Sequence, residues 1–305
     1  MLKNGRYRHL TVALATALSL TACSSGEVAV QEIKTAAAIS IEDGGNSSAK
    51  RVIALANGSA EILVSLGLKQ ILIGRDIAST EEVLLDIPIV TSGHQVVAEN
   101  ILKLNPDLVL IDGATGPLAA IKTLRENGIK IVQVRQAWTL SDINLKIADI
   151  AGAVGAIPSG AALSEKINQS LSEVKKADRR ARIAFLYLRG GNSIYLLGGK
   201  GSGADSLITA INSVDAGAVF SKDPFTPVSA EVLAELNPDV ILVMSKGLAS
   251  VGGVAGLNAL PGVAQTTAGK KGRTLAVDDS LLLSFGPRTP DLILQMAAAV
   301  DELMK

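Results

Sequence analysis

Histidine and cysteine are the scarcest reactive side chains in this protein: its 305 residues hold only His9 and His94 and a single cysteine, Cys23. A lone cysteine excludes an intrachain disulfide, and one histidine beyond the N-terminal segment excludes the multi-histidine cages usual in zinc or manganese receptors. Aromatic residues make up 3% of the chain, with Trp138 the sole tryptophan, which is poor material for a site lined by several stacked rings. The 29 basic residues are matched by 29 acidic ones, so the basic excess of a nucleic-acid binder is missing and no nucleic-acid partner is expected. No G-x-S-x-G nucleophile elbow and no metal-hydrolase signature occurs, so no enzyme and no catalytic cofactor are expected. The glycine-rich "GGKGSGADSLI" (198–208) is not a phosphate loop, because its Lys200 precedes the second glycine cluster. Beyond the N-terminus, no apolar run approaches the twenty or so residues that span a bilayer.

What is present begins with that N-terminus, "MLKNGRYRHLTVALATALSLTAC". Lys3, Arg6 and Arg8 precede an apolar run from Leu10 to Leu20, the layout of an export signal. The run ends in Leu20-Thr21-Ala22-Cys23, which resembles the lipobox of bacterial lipoproteins, with cleavage before Cys23 and a diacylglyceryl group on its sulfur. The organisation expected is a signal peptide over 1–22 and a lipidated cysteine with a flexible, Ser-, Gly- and Ala-rich linker over 23–49. Removing the signal leaves 26 basic against 29 acidic residues, a net charge of −3.

From residue 50 onward, short β-branched or leucine-rich runs recur: "RVIAL" (51–55), "QILIG" (70–74), "DLVLID" (107–112), "KIVQV" (130–134), "RIAFLYL" (182–188), "DVILVM" (239–244) and "RTLAVD" (273–278). Between them lie stretches of helical period such as "SAEILVSLG" and "LAAIKTLRENG", the latter closing on Gly128 as a C-cap. Strand and helix in alternation predict an α/β fold of mostly parallel sheets covered by helices.

The chain also echoes itself. "AENILKLNPDLVLI" (98–111) returns as "AEVLAELNPDVILV" (230–243), which predicts two similarly built lobes. Proline disfavours helical geometry in the residue before it, so Pro106 and Pro238 end the two helices. Between the halves, residues 159–182 form the longest polar-faced helical pattern, with Leu163, Ile167, Leu171 and Val174 on one stripe. One long helix joining two lobes is expected: an N-terminal lobe over 50–157, the connecting helix over 158–178 and a C-terminal lobe over 179–305.

These features together resemble the solute-binding proteins of ABC importers in the class with a rigid helical backbone, which captures cobalamin, ferric siderophores or haem. Within it, "IGRD" (73–76), "SGH" (92–94), "LYLRGG" (186–191), "GKGSGADSLI" (199–208) and "LLLSFGPRTP" (281–290) are similar to the haemin-binding lipoproteins of the HmuT type. The resemblance implies haem as transported ligand and a permease dimer with its ATPase as partner. It also implies a monomeric receptor, held through Cys23 on the outer face of the cytoplasmic membrane of a Gram-positive bacterium. His94 and Tyr187 then match the axial ligands of the iron, with Arg189 in support.

If "RIAFLYL" runs on as a strand through Arg189, Tyr187 and Arg189 share a face. A ferric ion and a guanidinium both favour the phenolate, which makes tyrosine a competent ligand at neutral pH. Arg75 and Arg288 are candidates for the haem propionates, since guanidinium pairs bidentately with carboxylate. Glu99 and Glu231, at the same register of the two repeats, match the family's permease-docking glutamates.

The sequence departs from the family at Gln95 and Val96, where a basic residue is usual, and at Phe225, where a tyrosine is. Met244, Tyr195 and the loop around Phe225 are the reserve ligands. Taken without the resemblance, His94 is a turn residue, Tyr187 a core aromatic, Arg189 half of an ion pair, and both glutamates are helix-dipole partners. A ferric-siderophore or cobalamin receptor is the alternative within the class, and a surface-anchored enzyme the alternative outside it.

Overall fold

The computed structural model describes residues 30–42, 45–190 and 194–305. The expected signal peptide and Cys23 lie outside the described residues. All seven hydrophobic runs become strands, divided between two sheets. In the N-terminal lobe, Leu72–Arg75, Val52–Ala54, Leu108–Ile111 and Lys130–Gln133 form a parallel four-stranded sheet in that order. The C-terminal sheet orders Val30–Ile33, Thr274–Val277, Val240–Met244, Arg182–Arg189, Ile194–Gly198 and Phe225–Pro227, with Val214–Asp215 beside Arg182–Arg189. Its last two strands on that path run antiparallel, an addition to the parallel pattern expected.

The repeat is explained by a shared pattern of hydrogen bonds that the Asn-Pro-Asp triplets make in both lobes. Each preceding helix, Ala98–Lys103 or Ala230–Leu236, gives way to an asparagine in the left-handed region, Asn105 at φ 46° and Asn237 at φ 42°. Asparagine tolerates that conformation better than other non-glycine residues. Proline then blocks further helix, and the aspartate turns back onto the start of the neighbouring strand. The Asp107 carboxylate accepts from the Lys50 and Arg51 N–H groups at 2.7 and 3.2 Å, and Asp239 accepts from the Arg182 N–H at 2.9 Å. Backbone bonds close both loops, Asp107 N–H to Arg51 O and Asp239 N–H to Arg182 O. Each triplet therefore sets the register of an internal strand, Leu108–Ile111 or Val240–Met244, against its neighbour.

Two boundaries differ from expectation. The stretch expected as a flexible linker contributes Val30–Ile33, which pairs in parallel with Thr274–Val277 and buries Ile33. Further along it, the Ile39 N–H donates to Pro287 O, Ile41 to Ser65 O and Ser48 to Val154 O, so the segment is strapped across both lobes. Composition suggested a linker, but the far edge of Thr274–Val277 offers unpaired backbone groups that a short extended segment satisfies.

The connecting helix runs Ile157–Glu173 rather than to residue 178. Beyond it the chain is drawn into other bonds: Ala177 N–H goes to Ile211 O, and the Asp178 and Arg179 N–H groups to the Asp301 carboxylate. The helix sits tightly on Asp142–Val154, for a Cβ at Gly160 would lie 2.5 Å from that of Ala151.

One continuous apolar core passes through both lobes along this side, from Ile62 and Leu110 through Ile147 and Ile167 to Phe185 and Met296. Smaller cores lie under the outer helices of each lobe. A shared core of this kind makes the lobes one packed body.

Asp107→Ala and Asp239→Ala, which each free backbone N–H groups at a strand start, are expected to destabilise the fold by about 1–2 kcal/mol apiece. Urea unfolding checks this, and additive losses are expected because the sites lie in different lobes.

Candidate functional site

Parallel sheets present their ligand crevices at the carboxyl ends of the strands. Here the carboxyl ends of both sheets face one cleft of about 570 Å³, a volume normal for a small-molecule site. The N-terminal lobe contributes Asn57, Asp76, His94, Asp112 and Thr115 to its lining, and the C-terminal lobe contributes Tyr187, Arg189, Met244, Lys246 and Asp279.

His94 owes its position to a small hairpin. Thr91–Ser92 pairs antiparallel with Gln95–Val96, leaving Gly93 and His94 as the two-residue turn. Gly93 has φ 55°. A glycine at positive φ in the first turn position is the arrangement of a type II′ hairpin, whose twist suits the flanking strands. The hairpin is pinned to the lobe by Val96, which is buried and donates its N–H to Gly116 O at 2.8 Å. The imidazole is left exposed at the tip and directed to the cleft lining. This is the local reason for the small residues before it.

Tyr187 and Arg189 lie on the same face of Arg182–Arg189, as the strand period requires, and both line the cleft. The Tyr187 ring meets Phe225 edge-on at 5.6 Å, and Phe225 in turn meets Phe185 at 6.3 Å, so the phenol is held by an aromatic stack rooted in the core. The phenylalanine that replaces the family's tyrosine is thus a support for Tyr187 and does not line the cleft. The Arg189 guanidinium lies over the Tyr187 ring, 5.8 Å from its centre. That contact is with the ring face, and it still places a positive charge beside the phenol. Met244 lines the cleft floor, while the Tyr195 side chain lies outside the described residues.

Two expectations are corrected. Arg75 does not meet the cleft: it is 4% exposed, and its guanidinium donates to the Leu84, Ile87 and Ser79 carbonyls, bracing the loop that follows its strand. Arg288 is equally committed. It is 7% exposed, pairs with Glu61 at 3.0 Å and with Glu81, and donates to Ser280 O. Neither lines the cleft, and both are buried away from a ligand carboxylate. The sequence could not reveal this, since the acceptors are backbone carbonyls or carboxylates far along the chain.

In their place the structure brings forward Lys246, which reasoning from sequence missed. It follows the carboxyl end of Val240–Met244, and its backbone N–H is tied to Asp279 at 2.9 Å. Its side chain lines the cleft and makes no hydrogen bond or ion pair among the described residues. The available signal was positional: a lysine just beyond a buried parallel strand sits at the crevice end of the sheet. The cleft-lining aspartates Asp76 and Asp112 are already occupied, accepting from Ser79 and Ala78 and from Thr115, Ala114 and Asn57 respectively. Positive charge thus belongs to the C-terminal wall.

Among the described residues no group of three or more His, Cys, Asp or Glu is placed to hold a bare metal ion. Glu99 and Glu231 stand exposed in the first turns of Ala98–Lys103 and Ala230–Leu236. Both helices run back from the cleft end of their lobe, so one carboxylate flanks each side of the mouth. A backbone hydrogen bond and the Ser229 hydroxyl hold the Glu231 carboxyl below its ordinary range.

Beneath the cleft the lobes meet through buried charge. Lys146 donates to Ser284 O at 2.7 Å, and burial pulls its ammonium down to about 8 against the attraction of Glu61 and Asp112. Burial likewise pushes Glu81 up to about 7, with Arg288 opposing and Glu61 and Asp76 adding to the rise. A carboxyl whose value rises on folding adds stability at low pH that is lost as pH increases through the folded value. The stability of the protein relative to its Glu81→Gln variant is therefore expected to fall between about pH 4.5 and 7. Thermal unfolding of both across that range tests it, and a gap that does not change with pH is the contrary result.

A model of the family described as periplasmic binding protein matches residues 52–281. A relative from Bacillus subtilis (strain 168), the uncharacterised ABC transporter substrate-binding lipoprotein YvrC, is 23% identical over 86% of this chain and 85% of its own. Among solved structures, the heme binding protein HmuT is 33% identical with a TM-score of 0.79, covering 90% of this chain and 97% of its own. The periplasmic heme-binding protein RhuT from Roseiflexus sp. RS-1 is 31% identical with a TM-score of 0.79, over 85% of this chain and 100% of its own. The periplasmic heme-binding protein BhuT, solved in complex with two hemes, is 28% identical with a TM-score of 0.75, over 86% of this chain and 100% of its own.

Proposed function

The chain belongs to the periplasmic binding protein family, and from that premise we propose that it captures haem outside the cytoplasmic membrane and hands it to an ABC permease. The observation that carries this is the meeting of His94 from one lobe and Tyr187 from the other in a single cleft. An imidazole and a phenolate on opposite walls suit the two axial positions of a ferric porphyrin, and a flat macrocycle fits a crevice between two sheets. One histidine is enough because the porphyrin itself supplies four nitrogens. The haem-binding proteins of similar fold support the same cargo.

The remaining residues divide the work. Arg189, over the Tyr187 ring, fixes the position of the phenol on its wall of the cleft. The propionates lie toward the C-terminal wall, where Lys246 and Arg189 supply the cleft's accessible cations. Glu99 and Glu231 dock the two permease subunits, one beside each lobe, through charge pairing that fixes register. Cargo is released to the permease without covalent change, as befits a receptor. Cys23 carries the lipid that holds the protein at the membrane, two acyl chains sufficing for stable attachment.

Titration with haemin is expected to shift the Soret band of the bound pigment. His94→Ala and Tyr187→Ala are each expected to change that spectrum, while Lys246→Ala keeps it and weakens binding about two- to fivefold, the range of an exposed charge pair. No shift with the parent protein, together with tight binding of a ferric siderophore or cobalamin, would transfer the reading to those ligands.

The double variant Glu99→Ala, Glu231→Ala is expected to titrate with haemin as the parent does and to import poorly in cells. Normal import would remove the docking role.

A further inference from the structure

We propose that the pole of the C-terminal lobe opposite the cleft is a basic surface that rests on the anionic headgroups of the membrane. The strands Arg182–Arg189, Val240–Met244 and Thr274–Val277 end at the cleft, so their starts define the opposite pole. Two basic segments converge there, "KKADRRAR" (175–182) before the first of these strands and "KKGR" (270–273) before the last. They are neighbours in space as well, because the Arg179 side chain donates to Met304 O and Arg273 donates to the Met304 sulfur at 3.4 Å.

Most acidic groups of this pole are already engaged. Asp178 pairs with Lys175 and Glu302 with Lys305, Asp301 accepts from the Asp178 and Arg179 N–H groups, and Asp239 accepts from Arg182. Lys176, Arg180, Lys270 and Lys271 are exposed, and their side chains make no ion pair or hydrogen bond among the described residues. Exposed carboxylates are present as well, Glu235 near the end of Ala230–Leu236 and Glu173 two residues before Lys175. The mature chain as a whole is net negative, and these four cations, drawn from two segments of the chain, gather at one pole of it.

The path of the chain identifies what covers it. Val30 pairs with Thr274, directly after Arg273, so the N-terminal strand starts at this same pole. Six residues separate Cys23 from Val30. At roughly 3.5 Å per residue, a lipid on Cys23 keeps the pole within about 25 Å of the bilayer. The proposal rests on that lipid for its occupant. Phosphate headgroups attract juxtamembrane cations with about one kcal/mol each, which is strong enough to bias orientation and weak enough to yield when the permease is engaged. The cleft then points away from the membrane while the receptor waits for cargo.

The test uses residues 23–305 with Cys23→Ser, the mature chain without its lipid, which retains every described element. It is sedimented with vesicles of phosphatidylglycerol and phosphatidylcholine, and with vesicles of phosphatidylcholine alone. Expected is partition to the anionic vesicles only, lost near 0.5 M salt, where screening is strong. The variant Lys176→Glu, Arg180→Glu, Lys270→Glu, Lys271→Glu is expected to lose it by about tenfold or more. A control of equal net charge, Lys103→Glu, Lys122→Glu, Arg125→Glu, Lys130→Glu on the other lobe, is expected to keep most of it. Haemin titration and thermal unfolding of each variant verify that the fold and the cleft are intact. No preference for anionic vesicles, or equal losses in both variants, overturns the proposal and leaves the haem reading untouched.

Discussion

Arg288 and the two carboxylates it serves are the constraint on which the cleft depends. A guanidinium from the C-terminal part of the chain sits between Glu61 and Glu81 of the N-terminal lobe, all three nearly withdrawn from water. Breaking a buried pair of this kind leaves an uncompensated charge, a loss of about 3–5 kcal/mol, so the lobes are held against sliding where the cleft begins. Lys146 adds a second bridge to Ser284, and the shared apolar core supplies the bulk of the adhesion. A fixed spacing between the lobes is what lets one donor on each wall address the same bound molecule.

The two walls are chemically unequal. On the N-terminal side the imidazole stands at a hairpin tip, and the neighbouring aspartates spend their oxygens on nearby hydroxyl and N–H groups. On the C-terminal side an aromatic stack holds the phenol, and the accessible cations gather around it. A ligand with a metal at its centre and acids on one edge is oriented by such a division, because the metal selects the pair of donors and the acids select the wall. Two arginines that look equally suited by residue type are removed from this task by burial, which turned one into a loop brace and the other into the interlobe bridge.

The duplicated Asn-Pro-Asp triplets give both lobes the same polarity. Each sets an internal strand in register and points its carboxyl end at the cleft, and each places a glutamate at the opposite end of the preceding helix, beside the mouth. The same axis runs through the C-terminal lobe, with the cleft and the exposed Glu231 at one pole and the start of the strand Val30–Ile33 at the other.

Local chemistry was enough to determine the α/β class, the seven principal strands, the two repeated lobes and the pairing of Tyr187 with Arg189 on one face. Most follow from a period, a proline or a turn glycine acting within a few residues, and the lobes from the repeat of 98–111 at 230–243. The resemblance added His94 and Tyr187 as partners, which no spacing along the chain reveals. Only the tertiary structure decided that Val30–Ile33 is a strand, that Phe225 props Tyr187, that Arg75 and Arg288 are spent on the scaffold and that Lys246 reaches the cleft. Those outcomes rest on acceptors and neighbours that only the folded chain brings together, and whether a charged side chain is free or committed is a property of its surroundings, not of its type.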